Sequence, residues 1–198
     1  MKRSFLALIP LLTAGFALAA TYNSVNVTLK QEQGELTLGA DSNASPVMGA
    51  RNPTIKNGVA YVSASHAQGD WAIGLSPKLP ITLTVHSGQG ASKLDLRSLK
   101  LLDLQITQEQ GNLDLKLPAA NLNASLQHAQ GSATITLLPN TGIRLEVKSF
   151  AQGTLVMNGK IVASGQDLNG TYQSAGFETA KYRVNMTVSM EQGELTVK

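Results

Sequence analysis

Residues 102–118 read LDLQITQEQGNLDLKLP. Around the central Gly111, apolar side chains fall nine, seven and five positions before it (Leu102, Leu104, Ile106). They fall again two, four and six positions after it (Leu113, Leu115, Leu117). Polar residues fill the gaps, among them Asp114 and Lys116. A period of two sends one set of side chains to a buried face and the other to water, which is the pattern of a half-buried β-strand. The glycine supplies the backbone freedom needed where one strand gives way to the next.

The same unit recurs along the chain. Its glycines are Gly34, Gly69, Gly90, Gly111, Gly131, Gly153 and Gly193, and their spacings of 35, 21, 21, 20, 22 and 40 residues cluster on a period of about 21. Val25, Val27 and Leu29 precede Gly34; Ile81, Leu83 and Val85 precede Gly90; Val184, Met186 and Val188 precede Gly193. Before Gly153 the set Ile143, Leu145 and Val147 is shifted by one. Leu79-Pro80, Leu117-Pro118 and Leu138-Pro139 close three units, where proline's missing donor does least harm. Helical periodicity is absent after the N-terminal segment. A fixed period of this size predicts an all-β, single-domain repetitive fold, β-solenoid-like with one unit per coil. The alternative is an antiparallel meander or β-sandwich in which each unit is a hairpin.

The N-terminus reads as a signal peptide, residues 1–19. Lys2 and Arg3 precede the apolar Phe5–Phe16, and Ala17-Leu18-Ala19 fits a small-x-small cleavage site. The apolar run is shorter than the about 20 residues that span a bilayer, and no later segment is long enough. The expected domain is 20–198, an exported protein of the periplasm, cell surface or medium. Without Lys2 and Arg3 it carries 14 basic and 13 acidic residues. That balance, and the lack of a basic patch with interleaved aromatics, argues against nucleic acid as a partner. With no cysteine in the chain, ladder hydrogen bonds and apolar columns must hold the fold.

Two segments break the period, 39–58 and 162–180. Both are rich in turn formers and are expected as irregular insertions displayed for binding. Arg51, Tyr172 and Phe177 are the expected exposed contacts. No G-x-S-x-G, H-E-x-x-H or phosphate loop is present, and no cluster of carboxylates marks a glycosidase, so an enzyme is not expected. No cofactor is expected either. The alternative is copper, held by His66, His86 and His128 in a superoxide dismutase-like redox protein. His66 and His128 are in phase with the buried set and His86 is out of phase. Three coils would separate His66 from His128 by about 14 Å.

The run Gln110–Pro118, continued by Ala124–Leu137, resembles the toast-rack or adhesin-type β-strand repeat family of exported bacterial proteins. Its members carry units of glycine, three alternating hydrophobic residues and proline at this period. The likeness covers Ile81 to Met157 well and the ends loosely. It implies a repetitive β fold in the cell envelope with a structural, adhesion or protein-interaction role, an envelope protein or surface polymer as partner, and possible oligomers. It supplies no catalytic residues.

Overall fold

The computed structural model describes residues 21–50 and 53–198. The expected signal segment lies outside them. The chain is all-β: β1 (Ser24–Gln33), β2 (Leu36–Ala40), β3 (Thr54–Lys56), β4 (Val59–Gln68), β5 (Trp71–Leu75), β6 (Ile81–Gln89) and β7 (Ser92–Asp95) come first. They are followed by β8 (Leu101–Gln110), β9 (Leu113–Lys116), β10 (Leu122–Thr136), β11 (Thr141–Met157), β12 (Lys160–Gln173) and β13 (Tyr182–Val197). A short 3-10 turn, Phe177–Thr179, precedes β13. Among the described residues no helix is long and apolar enough to cross a membrane.

Among the described residues all 13 strands join one sheet. Each unit is a long strand, a glycine corner and a second strand. Like strands of different units lie side by side, parallel and in register. The long strands run β4-β1-β6-β8-β10-β13-β11. The second strands run β5-β2-β7-β9, continuing into the C-terminal halves of β10, β13 and β11. Among the described residues the only antiparallel pairs are β3 on β4 and β12 on β11, one at each end of the stack. Hairpin pairing between the two strands of a unit, which a meander requires, is not what joins them.

Chain order is not stack order. β1 lies between β4 and β6, and the last strand, β13, lies between β10 and β11. The consequence is geometric: His66 on β4 and His128 on β10 are four strand steps apart, about 19 Å, rather than three.

Register makes the core. Leu29, Val85, Ile106, Leu126, Val188 and Val147 form one column across six strands, every member buried. Inward residues of both halves of each unit, such as Leu36, Leu94 and Leu115 beyond the corner, belong to the same apolar cluster. One expected column member departs. A register shift between β6 and β8 turns Leu102 outward, 56% exposed, and Leu101 takes the buried place.

The corners explain the glycines. Gly193 has φ +143°, and a Cβ there would stand 1.8 Å from the Gly131 carbonyl oxygen. The backbone of one corner rests directly on the next, so only hydrogen fits. Carbonyls at the corner also face the interior, where an acceptor left without donors is costly. Side chains three residues before the glycine answer this. Gln31 Nε2 donates to the Gln33 and Gly69 carbonyls, both at 2.7 Å. Gln108 Nε2 donates to Gly90 and Gln110, both at 2.8 Å. His128 Nε2 lies 3.0 Å from the Gly111 carbonyl oxygen.

The two period-breaking segments are more ordered than their composition suggested. The first contains β3, and its Val47 joins the core. The second is mostly β12, a strand of 14 residues. Asn57-Gly58 and Asn158-Gly159 make the two reversals, all four residues at positive φ. That is the signature of the two-residue turn whose twist suits a hairpin.

Candidate interaction surface

The outer face of the long strands is polar. Its middle row, across the stack, is Ser63, Thr28, Thr84, Gln105, Ser125 and Thr187, ending at Glu146 on β11. The row above it begins with Tyr61 and continues through Asn26, Thr82, Asp103, Asn123 and Asn185. Hydroxyls and amides at strand spacing, about 4.8 Å apart, give a regular array of donors and acceptors.

Beside the glycine corner runs a second array. Gln68, Gln33, Gln89 and Gln110 are register partners in turn, and so are Gln130, Gln192, Gln152 and Gln166, with Gln110 joining the two halves through Gln130. All eight are exposed, and among the described residues none bonds another's side chain. The recurring Gln-Gly pair in the sequence is this ridge; what sequence reading missed was that the glutamines form one line.

Arg51 lies outside the described residues. Tyr172, on β12, is half-buried and donates its hydroxyl to the Asn169 carbonyl at 3.3 Å. Phe177 is not an exposed contact: it is buried, 4% accessible, and lies under the Arg144 guanidinium, 4.6 Å from the ring centre. It packs against Gly142 at the start of β11, where an added Cβ would lie 2.8 Å from the Phe177 Cα.

The three histidines do not converge. His66 stacks on Trp71 with ring centres 5.5 Å apart at the β4 end. His86 is exposed on the outer face. His128 is buried under the corner, and burial pushes its imidazole below the ordinary histidine range although the Gly111 carbonyl works the other way. One metal ion with nitrogen ligands about 2 Å away cannot take all three. Among the described residues no three histidine, cysteine, aspartate or glutamate side chains come together as a metal site.

Stack, corner and polar face define a repetitive all-β protein. Residues 22–138 match the family described as the N-terminal domain of toast_rack, DUF2154, and the chain belongs to that family. The crystal structure of a "putative cell adhesion protein" from Clostridium sporogenes ATCC 15579 has the same fold, with a TM-score of 0.73 at 17% identity over 89% of this chain and 93% of that one. No curated protein matches the chain.

Proposed function

We propose that the chain is an exported, solenoid-like scaffold of the cell envelope that acts by binding. Its outer polar face holds another envelope protein or a surface polymer in an adhesive or structural role. The observation that carries this is the face itself: seven strands in register present rows of hydroxyl and amide groups over one continuous surface. A rigid sheet loses little entropy on binding an extended partner, so many weak contacts can sum. The likeness of fold to the clostridial protein and the signal-like N-terminus support the same reading.

The test is retention of envelope fragments by the immobilised chain. Thr84→Arg with Ser125→Arg, two outward changes in the middle row, should lower retention at least several-fold while circular dichroism stays unchanged. Equal retention would remove this face from the proposal. Cell fractionation with and without residues 1–19 tests export separately.

A further inference from the structure

Resting on that reading, we infer that the corner ridge is a docking groove for an extended basic polypeptide in polyproline II conformation, with a cation at every third residue. The position two before each glycine lies between two register pairs on every strand. Along the stack it holds Glu32 on β1, Glu109 on β8, Glu191 on β13 and, on the antiparallel β12, Asp167. The strands between carry Gly88, Ala129 and Ala151 at this position. Carboxylates therefore stand on alternate strands, about 9.6 Å apart. Neighbouring strands would set like charges directly opposite each other, which is unfavourable.

The small residues leave hollows. A cleft of about 510 Å³ lies over Gly88 between Glu32 and Glu109, with Lys30 and His86 at its side. A second, about 290 Å³, lies over Ala129 between Glu109 and Glu191, edged by Thr107, Gln127 and Ser189. Gly88 cannot be larger, since a Cβ there would lie 2.5 Å from the Glu32 carbonyl oxygen. Lys30 neutralises Glu32 at 3.1 Å. Among the described residues Glu109 and Glu191 have no ion-pair partner, and no lysine or arginine lines the second cleft.

Charge selects a cation, and the repeat selects a polymer. A polyproline II chain rises about 3.1 Å per residue, so three residues advance about 9.3 Å, close to two strand steps. A β-strand repeats after about 6.6 Å and loses phase at the second carboxylate. Polyproline II also leaves its backbone polar groups unpaired, and the exposed glutamine amides run beside the groove to meet them.

The experiment is fluorescence anisotropy of labelled proline-rich peptides with the full chain at low and moderate salt. A peptide with lysine at every third residue should bind and weaken with salt. Glu109→Gln with Glu191→Gln should reduce its affinity roughly three- to tenfold, the worth of two exposed ion pairs. Peptides with as many lysines at every second or fourth residue should bind more weakly. Equal binding at all spacings, no binding, or an unchanged affinity in the double variant would overturn the inference, as would a neutral glycan that competes for the groove. Should the peptides fail while the chain still retains envelope fragments, the inference falls and the scaffold reading stands.

Discussion

At Gly193 the conformational and steric demands coincide. Its φ of +143° disfavours a side chain, and the Gly131 carbonyl oxygen occupies the place a Cβ would take. Gly193→Ala should therefore cost about 3 kcal/mol or more, by strain and displaced backbone together. Gly69 heads the column. Its φ is +94°, and the nearest atom to an added Cβ is the His66 Nε2 at 3.8 Å. Gly69→Ala should cost only about 1–2 kcal/mol, the left-handed penalty alone. Urea unfolding of the two variants measures the difference, and equal costs would contradict the corner stacking. His128 gives a pH test. Its folded-state pKa is lowered, chiefly by burial, so the unfolded chain binds the proton more readily. Stability is then full above the unfolded value near 6.5 and is lost as pH falls below it. His128→Gln, which places here the residue that serves the same corner at 31 and 108, should keep the carbonyl bond and flatten this dependence in thermal melts between pH 7 and 5.

The element scale shows what the sequence made legible. Alternation around Gly111 specified strands, faces and most of the core, because burial on one side of a sheet leaves a direct trace in residue type. It did not specify partners. The bulge that turns Leu102 outward depends on a neighbouring strand. Phe177 read as exposed for the same reason, since its cover is the Arg144 side chain of β11. The two hairpins were readable in principle, as Asn57-Gly58 and Asn158-Gly159 stand between apolar runs, but Asn57-Gly58 falls inside the expected insertion 39–58 and Asn158-Gly159 stands just ahead of 162–180. Each hairpin sets an antiparallel strand against a parallel edge, and β12 is irregular, with Asp167 at φ +53° and Gly165 and Gly170 also at positive φ. Such breaks discourage further strand addition. Replacing Asn158-Gly159 with Ala-Ala should destabilise this hairpin by about 1–3 kcal/mol. Hydrogen exchange should then show lost protection in β12 with β6 and β8 unchanged; an equal loss everywhere would mean that β12 unfolds only with the whole sheet.

Across the whole molecule, the interleaved order matters most. In a simple repeat array the terminal unit contacts one neighbour and can be trimmed at modest cost. Here the C-terminal strand bonds both β10 and β11, so its residues complete the middle of the sheet. Deleting 182–198 should abolish cooperative unfolding by circular dichroism; a folded truncation would show that β13 is peripheral. The glutamine ridge, the alternating carboxylates and the polar rows all depend on the same order, and none is visible when the units are read in chain sequence. The most direct test joins strands by cysteine pairs in this cysteine-free chain. Ser125 on β10 and Thr187 on β13 are register partners, and Glu146 on β11 lies beyond Thr187. A disulfide needs Cα atoms about 4.4–6.8 Å apart. On oxidation, Ser125→Cys with Thr187→Cys should crosslink fully, and Ser125→Cys with Glu146→Cys, two strands apart at about 9.6 Å, should not. The opposite result would place β11 beside β10 and contradict the interleaved stack.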